Sequence, residues 1–230
     1  MNSARKLAVT TGVVFIIATV AAVLAAALLP VLTGADYLTL VAADTNRVAG
    51  AAFFYLIAAF TSVGIAVLLY PVLKGPNPIL ALGSVVFRTL EAALYMVAVV
   101  GLLGMLTLSQ QLRLAGAAEH ASLQAIGDAL LGLRDHATLV AVFAFCLGAF
   151  MYYYVLFQSR LIPRWLSGFG IGAITVMTAA CVLSLFTGNP VTGYVLLVFP
   201  IFVQEMVLAV WLIAKGFSPS AIAANSSRQT

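Results

Sequence analysis

Long apolar runs separated by short polar connections make up almost the whole chain. A helix needs about 20 apolar residues to cross a hydrocarbon core. Six stretches reach that length: 7–32, 48–73, 79–108, 137–157, 165–186 and 191–214. None alternates polar and apolar residues as a barrel strand would. Leu/Ala/Val-rich runs of this kind satisfy their backbone within a helix, the only open-ended element that can lie in lipid. The pattern predicts an all-α, six-helix integral membrane bundle over 1–216.

Composition agrees with that expectation. The chain is 63% hydrophobic and 8% charged, against about 25% charged in soluble domains. The first run follows a basic start, "MNSARK", as a cleavable signal segment would, but it exceeds the roughly 7–15 apolar residues of such a segment and predicts a first spanning helix. The net charge of +4 comes from few ionisable groups, and no basic run with interleaved aromatics suggests a nucleic-acid partner. Cys146 and Cys181 lie within apolar runs and predict small core residues.

The connections carry an orientation. Arg5, Lys6, Lys74, Arg160, Arg164, Lys215 and Arg228 fall on one side with no acidic residue. Arg47, Arg113 and Arg134 share the other side with Asp36, Asp44, Glu119, Asp128 and Asp135. By the positive-inside rule, both termini are expected in the cytoplasm and the bundle in the cell membrane. Tyr37, Tyr152, Tyr153, Tyr154, Trp165, Tyr194 and Trp211 are expected as interface anchors. Residues 109–136 predict a long outer loop with a short amphipathic helix, built on Leu123, Ile126, Leu130 and Leu131, that lies on the outer membrane surface or caps the bundle. The glycines of "SGFGIGA", Gly168 and Gly172 among them, predict close helix packing. The polar segment 217–230 predicts a disordered cytoplasmic tail.

Three charges break the apolar pattern. In "FRTLEAALYM", Arg88 and Glu91 lie about 13 and 18 Å into the third run at 1.5 Å per residue. A spacing of three places them on one helix face. Glu205, with Gln204 beside it and Pro200 five residues earlier, lies about 15 Å from Lys215 and so at matching depth. One intramembrane charge costs about 2.5–3.5 kcal/mol, so the three are expected to form one interior cluster with Arg88 bridging both glutamates. Two carboxylates around one arginine are expected to share a proton. Arg88, Glu91, Glu205 and Gln204 are therefore the candidate ligand or proton site. A purely structural ion pair that sets helix register is the competing interpretation.

A second polar group, Arg134, Asp135 and His136, stands where the fourth run begins. Asp135 is expected to cap that helix, and the group is a candidate pH-responsive outer gate. His120 and His136 are the only histidines, and no metal-ligand spacing, phosphate loop or nucleophile elbow is present. No catalytic residue, metal or cofactor is assigned.

The combination of "VFRTLEAALY", "QSRLIPRWLSGFG" and "PIFVQE" resembles the domain-of-unknown-function 4386 family of prokaryotic multi-pass membrane proteins over nearly the whole chain. The family's Phe-Arg-x-x-Glu element falls on Phe87, Arg88 and Glu91, its Pro-Arg-Trp element on Pro163, Arg164 and Trp165, and its late Pro and Glu on Pro200 and Glu205. Where family members often carry His-Asp, this chain has Arg134 and Asp135, with His136 following. The resemblance implies an architecture and a set of polar positions, and no activity. Three functional classes remain: a protein that binds or transports a small or lipophilic ligand, with proton linkage; an accessory subunit in a homo-oligomer or beside a membrane partner; and, with least support, an intramembrane enzyme.

Overall fold

A computed structural model describes residues 3–30, 32, 34 and 36–226. Among the described residues eight α-helices run in order: α1 Ser3–Leu28, α2 Tyr37–Ala43, α3 Thr45–Leu73, α4 Pro78–Leu112, α5 Ala117–Ser159, α6 Arg164–Thr187, α7 Val195–Ala214 and α8 Pro219–Ser226. No strand occurs among the described residues. All but α2 and α8 are long and apolar enough to cross a membrane, as the six apolar runs predict. Each of these six packs on the next in the chain, and α7 returns to pack on α1. The result is a closed ring of six helices.

Local chemistry sets several boundaries. Asn77 Oδ1 accepts the Leu80 N–H at 3.0 Å, with Pro78 in the first helical position of α4. Gly188 ends α6 in the left-handed conformation at φ 72°. The last carbonyls of α7 are orphaned by geometry, and α1 supplies their donor. Arg5 Nη2 donates to the Ile213 carbonyl at 2.6 Å and to Ala214 at 3.2 Å, while Nη1 reaches Leu212 at 3.3 Å. A cation at a helix C-terminus also complements the helix dipole.

Several expectations are corrected. The long outer loop shrinks to residues 113–116, because α4 runs on to Leu112 and α5 starts at Ala117. The amphipathic segment is the first half of α5, continuous with the fourth span rather than flat on a membrane surface. At 1.5 Å per residue α5 is about 65 Å long, so roughly half of it projects beyond a hydrocarbon core of about 30 Å. Leu123, Leu130 and Leu131 pack there against Tyr37, Leu38 and Met105, whereas Ile126 is exposed. Asp135 consequently lies inside a helix and caps nothing.

Tyr37 is buried in this cap rather than anchored at an interface. Its hydroxyl donates to Asp128 Oδ1 at 3.1 Å, and Gln124 Nε2 donates to the same oxygen. Burial and the Asp128 carboxylate push the Tyr37 phenol above its ordinary range, so it remains a donor at neutral pH. Tyr152 and Tyr153 are also core residues with no exposure, while Tyr154 and Trp165 do stand on the surface. Part of the segment expected to be disordered forms α8 over Pro219–Ser226, with Phe217 buried and the Ser218 N–H donating to the Leu161 carbonyl. Residues 227–230 of that expected tail lie outside the described residues.

Close approach depends on a few glycines. A Cβ on Gly12 would sit 2.6 Å from the Ala209 carbonyl, so α1 and α7 touch backbone to backbone near the end that carries the termini. Of the "SGFGIGA" glycines it is Gly170, not Gly168 or Gly172, that meets a helix closely, its Cβ position lying 2.5 Å from the Tyr153 ring. Association in lipid gains from packing rather than from excluding water, so such contacts carry much of the stability. Gly12→Leu is expected to prise α1 from α7 at a cost of about 1–3 kcal/mol, measured as a lowered Tm in nanodiscs.

Candidate functional site

Midway along the ring, between the two packed ends, lies a cavity of about 330 Å³ to which all six spanning helices contribute. Its walls are mainly alanine, valine, isoleucine and aromatic side chains, and its charged groups are Arg88, Glu91 and Glu205. The three charges expected to meet at matching depth therefore do line one cavity.

Their pairing differs from the expected bridge. Arg88 Nη1 lies 3.1 Å from Glu91 Oε2, a pair formed within one turn of α4 and almost wholly buried. The same carboxylate oxygen accepts the Ser62 hydroxyl from α3 at 2.9 Å. The Arg88 guanidinium lies 4.6 Å from the Phe145 ring centroid on α5, within cation–π range. Gly148, one turn further along α5, has its Cβ position 3.1 Å from Arg88 Cγ and so lets the arginine stem pass close to that helix.

Glu205 forms no ion pair with Arg88. Its Oε1 is buried without a hydrogen-bond partner, as are Nε and Nη1 of Arg88. The guanidinium is thus close enough to Glu91 for charge neutralisation, yet two of its nitrogens lack an aligned acceptor. Unpartnered buried donors and acceptors are uncommon in folded proteins. Here they occur on facing walls of one cavity.

Gln204 lies elsewhere. Successive helical residues are about 100° apart, and this rotation turns its amide away from the cavity toward α5 and α6. Its Oε1 accepts from the Tyr153 hydroxyl and its Nε2 donates to the Leu166 carbonyl at 3.2 Å. Both ends of the amide are occupied in tying three helices together.

The second group is separate from the charged cavity. Arg134 Nη1 pairs with Asp135 Oδ1 at 2.6 Å, and His136 is exposed. Arg134 lines a small pocket whose walls include Tyr55 and Tyr95, and these two tyrosines also line the charged cavity. They stand between the arginine at the cap and the charges at mid-ring.

Sequence reasoning missed Ser62, Tyr55, Tyr95 and Phe145. Tyr95 was recoverable, since 88, 91 and 95 repeat at three and four residues and share a helix face. Tyr55 and Ser62 are two turns apart on α3, but nothing in the sequence says which face of α3 meets α4. Cys146 and Cys181 are buried free thiols, the core role expected for them.

A ring of membrane-length helices closed around a charged interior defines a polytopic helical membrane protein. The family model described as Domain of unknown function (DUF4386) matches residues 10–216, and the chain belongs to that family. No curated protein and no solved structure matches it.

Removing one partner of a buried pair leaves an uncompensated charge, which costs about 3–5 kcal/mol. Glu91→Gln is expected to lower the unfolding free energy by that amount, whereas Ser62→Ala, which deletes one hydrogen bond, costs about 1 kcal/mol. Thermal melts of both variants in nanodiscs check the order.

Proposed function

We propose that this protein binds, and carries within the bilayer, a small or lipophilic ligand held in the mid-ring cavity, with a proton exchanging at one of its carboxylates. The observation that carries this reading is Glu205 Oε1, buried without a hydrogen-bond partner in the same cavity as the Arg88–Glu91 pair. A bundle held together only by ion pairs gains nothing from orphaned polar atoms, each of which costs about 1–3 kcal/mol. A ligand or a proton that completes them offsets that cost. Intramembrane ionisable residues commonly mark such pathways, and the volume falls at the lower end of small-molecule sites.

In this proposal Arg88 is the internal counter-ion, Glu91 its permanent mate, and Glu205 the exchangeable acceptor. Arg134, Asp135 and His136 serve as a gate at the cap end, with Tyr55 and Tyr95 as the partition between gate and cavity. The charge asymmetry of the two ends supports an orientation with both termini in the cytoplasm of a cell whose membrane holds the bundle.

The test is stability against pH for the wild type and Glu205→Gln in nanodiscs. The titratable groups that line the cavity with Glu205 are Arg88, Glu91 and Tyr95 from α4 and Tyr55 from α3. With Arg88 matched by Glu91, the charged form of Glu205 is the costly one. Ionisation of Glu205 as pH rises is therefore expected to lower the wild-type Tm, and Glu205→Gln to be neutral or stabilising and to abolish that slope. A large, pH-independent loss of Tm in Glu205→Gln would instead make the glutamate a structural partner and favour the accessory-subunit reading.

A further inference from the structure

The cavity also carries information about the class of its ligand. Its one positive group already has a counter-charge, since Arg88 lies against Glu91 with the Phe145 face behind it. The remaining charged group is Glu205, whose Oε1 has no partner. Fully ionised, the cavity holds one uncompensated negative charge. Around it the walls present the rings of Tyr55, Tyr95 and Phe202 and otherwise mostly aliphatic side chains. Aromatic faces attract cations, more strongly where water is excluded.

Half of the residues lining this site come from α1 and α7. The two helices are in backbone contact at Gly12 and Ala209. Further along, toward the cap, α1 offers Ala18, Ala22 and Ala26, one turn apart and too short to fill the space before α7. Val23 and Phe202 line the cavity and also stand on the outer face of the bundle, 50% and 38% exposed. The cavity thus reaches the surface at a depth where the surroundings are hydrocarbon.

We infer that the ligand is a lipophilic monocation, a protonated amine or onium ion with apolar substituents, which enters from the bilayer between α1 and α7 and places its charge at Glu205. The inference rests on the proposed reading of the cavity as a ligand site. It also gives the exchangeable proton a role, because proton and cation compete for one carboxylate.

Two ions of one shape and opposite charge test it: tetraphenylphosphonium and tetraphenylborate, with uncharged triphenylphosphine oxide as a third probe. Saturable binding to protein-loaded nanodiscs is measured against empty ones. Tetraphenylphosphonium is expected to bind the wild type, and to bind Glu205→Gln at least about tenfold more weakly. Should that variant not fold, lowering the pH on the wild type must weaken phosphonium binding and leave the uncharged probe unaffected. Preference for tetraphenylborate, or phosphonium binding indifferent to both Glu205→Gln and pH, overturns the cationic class while leaving a ligand cavity in place. Absence of saturable binding by all three probes removes the ligand-site reading and this inference with it.

Discussion

A guanidinium buried about a third of the way along an apolar helix is the constraint on which the remaining structure depends. An unpaired charge at that depth opposes insertion by several kcal/mol, so the surroundings of Arg88 have to compensate it. Glu91 does so from the same helix at 3.1 Å, Ser62 holds that carboxylate from α3, and Phe145 on α5 covers the guanidinium. One charge thereby draws three helices to common positions. Gly148 is the geometric counterpart, since a side chain there would meet the arginine stem. Glu205 then stands outside the neutral pair, and the imbalance it introduces gives the cavity its chemical character.

The cavity persists because stability is concentrated at the two ends of the ring. At one end Gly12 brings α1 onto α7 and Arg5 occupies the final carbonyls of α7, while Tyr153 joins Gln204 at the depth of Glu205 on the side turned away from the cavity. At the other, α2 and the projecting half of α5 close over a cluster containing Tyr37, Leu38 and Met105, tied by Asp128. Between them, small residues on α1 leave space that α7 does not fill. In lipid no excluded-water force collapses such a space, so a gap between well-packed ends carries a smaller penalty than it would in a soluble core. Firm ends around a loose, charged middle suit a bundle that admits something at mid-depth.

What the chain states about itself follows from local physics. Apolar length sets the six spans, because hydrocarbon thickness is a number that a run of residues either reaches or misses. Spacing placed Arg88 and Glu91 on one face, and depth counted along the helices brought Glu205 to the same level. Those deductions need only helix pitch and rise, and the cavity contains all three residues. The face of a helix relative to its neighbours is a different kind of quantity. Gln204 adjoins Glu205 in sequence yet points into the α5–α6 contact, and Tyr152 and Tyr153, plausible interface residues by position, are core. Rotation about the helix axis is decided by partners far away in sequence. So are the pairing of Arg88 with one glutamate rather than two, the recruitment of Ser62, Tyr55 and Phe145, and the fusion of the expected loop helix with the fourth span. The sequence by itself determined the number of spanning elements and the depth of their charges, because these depend on the chain alone. Only the tertiary structure decided which faces meet and which polar atoms go unpaired, because both depend on closing the ring.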